Sequence, residues 1–299
     1  MKVALEKLNL DNILVMKCSL CNSTKFFHIG KIHDYEYDLK LFGNYYFCKI
    51  CKTCFKDNKK INNKKLYKSN YIPISKNYIF SFLKNLYAKF ESKLILKNIT
   101  ILNKDKILDI ACGNGYLLKN LFKYSKAKYH GIDLNMNISN NEGIKFYKQN
   151  INNFEIIKKV KPNIIIINNF IEHLEGKRQL NDFFKNIKKK TIVIILTPDF
   201  NSEGRKKFKN EWSGYHSPRH YYVFSENSFS FLKKKYKYKI KHSSKFFDPF
   251  TNIVSILNVV KSYFYGKRQF KISDLPILVF GLFSDIKRRN RLFYIIEKQ

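Results

Sequence analysis

Apolar runs without polar gaps in NIIIIN (163–168) and TIVIILT (191–197), with KILDIAC (106–112) as a further buried-strand candidate, constrain the fold more than any other feature of the chain. A strand with one wet face alternates apolar and polar residues. A run without alternation is buried on both faces, as in a parallel sheet covered by helices. Helical spacing fills the intervals: Tyr78, Phe82, Leu86 and Phe90 within 76–98, then Leu117, Leu118, Leu121 and Phe122 within 116–124. Residues 176–188 also read as helix, and Ser225 is placed to cap another through about Lys235. AKYHGID (127–133), IKFYKQN (144–150), KYKIKHSSKF (237–246) and RLFYIIE (291–297) complete the strand candidates. Strand and helix in alternation predict an α/β fold with a doubly wound, mainly parallel sheet.

Within that frame ILDIACGNGYLL (107–118) is the most informative segment: a buried strand, a tight turn, then a helix. Gly113 and Gly115 can take positive φ and let backbone approach a ligand with no Cβ in the way. Ligands of open α/β sheets lie at the carboxyl ends of strands where the strand order reverses. A dinucleotide fingerprint needs Gly-x-Gly-x-x-Gly, but Leu118 stands at the third position. Asp109, just before the turn, is poorly placed for a pyrophosphate and well placed for a ligand carrying an ammonium and a sulfonium. Asp133 follows Gly113 by 20 residues and ends the second strand, where a carboxylate can take both ribose hydroxyls. S-adenosylmethionine is the cofactor this pattern favours.

Here the sequence resembles the class I, Rossmann-like methyltransferases that use S-adenosylmethionine, and residues 76–246 follow that family's order of landmarks. LDIACGNG is similar to its first motif, with Ala111 in place of a common glycine. The resemblance implies a seven-stranded sheet, with Asp109, Ala111, Gly113 and Gly115 facing the methionine moiety and Asp133 the ribose. Asn150 stands where the family usually has an Asp near the adenine. Glu172-His173-Leu174, after the fourth strand, is similar to the Glu-His-Leu of many members. Trp212 and Pro218-Arg219-His220, followed by Phe224, resemble a subgroup acting on sugars and other small polar metabolites. Trp212 and Arg219 are thereby expected at the substrate.

Methyl transfer from a sulfonium is an in-line displacement with a neutral leaving group. The protein supplies alignment and takes a proton from the acceptor. His173 and His220 are the candidate bases, with Glu172 beside them. Arg219 would hold an anionic acceptor group or pair with an acid such as Glu211.

Five of the six cysteines lie in residues 1–60. Cys18-x2-Cys21 and Cys48-x2-Cys51 have the knuckle spacing of a tetrahedral, structural zinc site. Cys54 is a spare, and Cys112 belongs to the cofactor turn. The expected organisation is a zinc-ribbon-like subdomain (1–60), a Lys/Asn-rich linker (61–75) and a methyltransferase domain (76–299) with an insertion at about 248–286. A similar ribbon occurs in some sugar C-methyltransferases. The insertion would be a lid on the acceptor pocket, a dimer surface or an amphipathic membrane contact.

The chain carries 57 Lys plus Arg against 23 Asp plus Glu, a net charge of +34. Such a field attracts nucleic acid and anionic lipid. The Lys, Asn and Ile bias that an AT-rich genome writes into any protein explains it more simply. A sugar or glycan-related acceptor is therefore favoured over RNA. No Asn/Asp-Pro-Pro-Tyr loop follows the fourth strand, and no Pro-Cys nucleophile is present. A dead scaffold serving as a binding module is the third reading. No secretory leader or spanning segment is recognisable, and the expected location is the cytoplasm.

Overall fold

The computed structural model describes residues 16–37, 40–57, 66, 78–134, 143–151, 154–287 and 289–299. Apart from Leu66, the stretch expected as a linker lies outside the described residues. An antiparallel sheet opens the chain: β1 (Phe26–His33), β2 (Phe42–Cys48) and β3 (Cys54–Lys56). The strands β4 (Lys106–Ile110), β5 (Lys128–Asp133), β6 (Ile144–Lys148), β7 (Ile164–Asn168) and β8 (Ile192–Pro198) are mutually parallel. After the short β9 (Tyr222–Val223), β11 (Arg291–Lys298) lies antiparallel between β8 and β10 (Tyr238–Phe246). The large sheet has seven strands in the order β10-β11-β8-β7-β4-β5-β6. This is the doubly wound α/β sheet expected from the apolar runs.

Period-two geometry explains why those runs lack polar gaps. Along β7, Ile165 and Ile167 enter one core while Ile164 and Ile166 enter the other. The second core is covered by α1 (Tyr78–Asn98) and α2 (Tyr116–Phe122). The first is covered by α3 (Glu155–Val160), α4 (Gly176–Asn186) and, beyond α5 (Glu203–Phe208), by α6 (Glu226–Tyr236). None of the described helices is long and apolar enough to cross a membrane.

One reading of a helix face needs correction. In α1 the apolar stripe does not point inward: Phe82, Leu86 and Phe90 are exposed, while Ala88, Glu91, Ser92 and Ile95 are buried. The same inversion occurs in the insertion, which holds α7 (Pro249–Phe264) and α8 (Leu275–Phe280). Asp248 caps α7 by accepting from the Phe250 amide at 2.9 Å, and Pro249 follows at the first turn. Its buried face is largely polar: Ser255 accepts from the Ser213 amide and Asn258 donates to the Glu211 carbonyl. Ile253, Leu257 and Phe264 face solvent.

The N-terminal segment is not a separate appendage in its packing. Its sheet is completed by β9 from the larger domain, with Cys54 opposite Val223 and Phe55 opposite Tyr222. Cys18, Leu20, Cys51 and Phe55 belong to the same core as β4, β7 and β8. Ser225 stitches the two together. Its hydroxyl donates to the Lys52 carbonyl at 2.8 Å and caps α6 by accepting from the Ser228 amide at 3.3 Å. Ser225→Ala should therefore cost about 1–2 kcal/mol in urea unfolding, within a single transition. A loss below a few tenths would contradict this joint.

Candidate functional site

Strand β4 lies between β5 and β7, so the connections leaving it diverge and a crevice opens at its carboxyl end. The turn there carries three left-handed residues, Ala111 (φ 61°), Gly113 (φ 54°) and Gly115 (φ 67°). Gly113 faces open space, with nothing within 4 Å of where a Cβ would stand. Ala111 occupies the same region with a methyl group, at a cost of about 1–2 kcal/mol. Asp133, at the end of β5, accepts the Gly113 amide at 3.0 Å and fixes the turn. Gly115 starts α2.

These residues border a cleft of about 700 Å³. Ala111, Gly113, Asp133 and Asn150 line it together, as do Glu91, Asn168, His173, Arg219, His220 and Arg291. Asp109 lies just beneath, 2% exposed. Burial, then Glu91, then Asp133 push its carboxyl well above the usual range.

Two lining residues escaped the sequence reading. Glu91 comes from the buried face of α1; its Oε2 accepts from Asn168 Nδ2 at 2.7 Å and its Oε1 has no hydrogen-bond partner. Burial raises Glu91 from 4.5 to about 7, with Arg291 opposing the shift. Arg291, at the start of β11, donates to Asn168 Oδ1 at 3.1 Å and to Asp248 Oδ2 at 3.4 Å. An acid within a helical pattern would have signalled Glu91 had the helix phase been read correctly; Arg291 left no comparable signal.

The opposite wall comes from the turn after β7 and the loop after α5. Glu172 is completely buried; its Oε2 accepts from the Thr197 hydroxyl at 3.0 Å. Its Oε1 has no hydrogen-bond partner and lies 4.0 Å from His220 Nε2. His220 Nδ1 lies 2.9 Å from the Gly214 carbonyl, which only accepts, so Nδ1 carries the proton and Nε2 keeps its lone pair. The rings of His173 and His220 meet edge to face at 4.5 Å, and His216 stands 5.1 Å from His220. Burial, then His216 and Arg219, lower His173 to about 3; burial, then His173 and His216, also hold His220 well below its usual value. Both rings are neutral at pH 7.

The N-terminal sheet holds this loop in place. The Tyr45 hydroxyl donates to the Tyr215 and His220 carbonyls at 3.2 and 3.0 Å, and the Ser217 hydroxyl donates to the Ile32 carbonyl at 2.7 Å. Arg219 does not pair with Glu211. It donates to Asp34 at 3.1 Å and to the Leu66 carbonyl, while Glu211 pairs with Arg268. Trp212, expected at the substrate, lies outside the cleft lining, packed against Gly214 and Tyr215.

The four cysteines of the paired motif converge. Cys18 and Cys51 sulfurs are 3.6 Å apart, Cys21 and Cys48 sulfurs 3.5 Å, and all four lie within 4.8 Å of one another. A tetrahedral cation with bonds near 2.3 Å would set neighbouring sulfurs about 3.8 Å apart, so the donor set fits. Cys54 sits in a different core with Trp212 and Phe208.

Burying Glu91 has a consequence for stability. The folded chain keeps the proton that the unfolded chain releases above pH 4.5, so stability falls as pH rises from about 4.5 to 7. Glu91→Gln should flatten that slope in ligand-free protein, read as melting temperature against pH; an unchanged slope would contradict the burial argument.

Comparison with known proteins agrees with this geometry. Residues 77–243 match the family model described as a methyltransferase domain. Among solved structures, a cyclopropane-fatty-acyl-phospholipid synthase-like protein from Lactobacillus casei is 12% identical with a TM-score of 0.51, covering 79% of this chain and 100% of that one. A SAM dependent methyltransferase from Archaeoglobus fulgidus is 17% identical with a TM-score of 0.45, covering 74% of this chain and 100% of that one. No curated protein matches. The family match spans more than half of the chain: the protein belongs to this methyltransferase family, on the class I fold that uses S-adenosylmethionine.

Proposed function

We propose that the protein transfers a methyl group from S-adenosylmethionine to a small polar acceptor, a sugar or glycan-related metabolite, and that zinc in the four-cysteine cluster holds the acceptor-side loop. The observation that carries the donor reading is the coincidence of an open glycine position, Gly113, with two acids lining the cleft, Glu91 and Asp133, and the buried Asp109 beneath. S-adenosylmethionine supplies an electrophilic methyl group on a sulfonium. A cationic ligand stabilises the ionised form of Glu91 and Asp109, which burial alone disfavours. The Gly113 and Ala111 backbone allows close approach, Asp133 is at hand for the ribose and Asn150 for the adenine.

At the other end, Glu172, His173 and His220 present one carboxylate and two neutral imidazoles. Lone pairs on these rings can accept a hydrogen bond from an acceptor hydroxyl and orient its oxygen toward the methyl group. Asn168, Asn169 and Gln179 add polar lining suited to a hydroxyl-rich molecule. Arg219, neutralised by Asp34, is assigned to shaping this wall, with His220 as its neighbour in the loop. The sugar class is favoured by the Pro218-Arg219-His220 resemblance and by this polarity.

Asp133→Ala should weaken S-adenosylmethionine binding at least about tenfold, roughly 1.4 kcal/mol, in calorimetric titration. Wild-type protein that takes up no ligand would contradict the donor assignment. For the metal, one zinc per chain should survive desalting in wild type and in Cys54→Ser. Cys48→Ser should lose it and lower the melting temperature of the whole chain. Equal zinc content in all three proteins would place the metal elsewhere.

A further inference from the structure

Glu172, His173 and His220 share a property that proton transfer does not require. Each offers a donor atom, and the three atoms lie within 4.8 Å of one another. Two of the side chains are also held from behind. Glu172 is oriented by the Thr197 hydroxyl on its Oε2, leaving Oε1 without a hydrogen-bond partner. His220 donates through Nδ1 to the Gly214 carbonyl, leaving the Nε2 lone pair directed at Glu172. His173 Nδ1 is buried without a hydrogen-bond partner. Buried polar atoms are rarely left unsatisfied without a reason. Two of them, Glu172 Oε1 and His173 Nδ1, converge with the His220 Nε2 lone pair, and Glu172 and His220 are anchored on their far sides, the outer-sphere pattern of metal-binding side chains.

We propose that Glu172, His173 and His220 form a second cation site, for a divalent first-row transition metal, at the acceptor end of the cleft. Two imidazoles and one carboxylate are the donor set that such cations take with several positions left open. His173 and His220 line the cleft, so the open positions face it. The present 4.0 Å between Glu172 Oε1 and His220 Nε2 is wider than the roughly 3–3.4 Å between two ligands of one ion, so a cation would draw the side chains inward. The site differs in kind from the four-cysteine cluster: nitrogen and oxygen donors with open positions, against four thiolates with none. The cation's task, holding an oxygen of the acceptor in one open position, rests on the methyltransferase reading; the site itself rests on the geometry alone.

The test uses the full chain, first loaded with one equivalent of zinc and desalted, then titrated with Co2+ in the absence of donor and acceptor. Wild type should bind about one equivalent of Co2+ with weak visible d–d bands and no thiolate charge-transfer absorption. His173→Ala and His220→Gln should each weaken that binding by about 10–100-fold, whereas His242→Ala, away from the cleft, should leave it unchanged. Glu172→Gln keeps an oxygen for Thr197, removes the charge and should weaken binding comparably; circular dichroism checks that each variant is folded. No Co2+ uptake at millimolar concentration, uptake only with thiolate absorption, or binding indifferent to all three substitutions would overturn the proposal. Because no donor is present, these outcomes are independent of whether S-adenosylmethionine binds.

Discussion

The hydrogen bond from the Gly113 amide to the Asp133 carboxylate, 3.0 Å long, ties the turn after β4 to the end of β5. Left-handed backbone is free to Gly113 and Gly115 but costly to Ala111, which holds it only because its surroundings over-determine it. Here the turn is pinned by Asp133 on one side and by the start of α2 on the other. With the turn held there, Gly113 leaves open space on the cleft side where a Cβ would stand. That is what allows a ligand to approach the acids gathered there.

The charge distribution inside the cleft follows from the same arrangement. Glu91 and Asp109 are removed from water by the sheet and by α1, and Arg291 opposes the resulting shift at Glu91 only in part. The opposite wall depends on the N-terminal sheet. Tyr45, Ile32 and Asp34 bond the loop that carries His216, Arg219 and His220, and β9 of that loop is itself a strand of the N-terminal sheet. The cysteine-bearing segment thus sets, by direct hydrogen bonds, where the loop carrying His216 and His220 stands.

Much of this was legible in the sequence, for identifiable reasons. NIIIIN and TIVIILT revealed central parallel strands because burial on both faces leaves no polar gap, and the turn with its distant Asp133 revealed the crevice because only a few residue types satisfy those positions. The short β1–β3 hairpins gave little periodicity, since their register depends on pairing partners far along the chain such as Tyr222. The face of α1 was misread because its apolar stripe, Phe82, Leu86 and Phe90, lies outward and a glutamate lies inward. Trp212 was expected at the substrate because its loop resembles that of a sugar-directed subgroup; in the fold it fills the space behind Gly214. Pairing of Arg219 with Asp34 spans 185 residues and leaves no local trace.

The central claim is that buried acids at the end of β4 and on α1 recognise a sulfonium nucleoside. The most direct measurement compares the affinity of S-adenosylmethionine with that of S-adenosylhomocysteine, which lacks the sulfonium charge, between pH 5.5 and 8 (about the range over which Glu91 ionises). The account predicts that S-adenosylmethionine binding strengthens with pH more steeply than S-adenosylhomocysteine binding. Parallel pH profiles, or no binding of either, would contradict it.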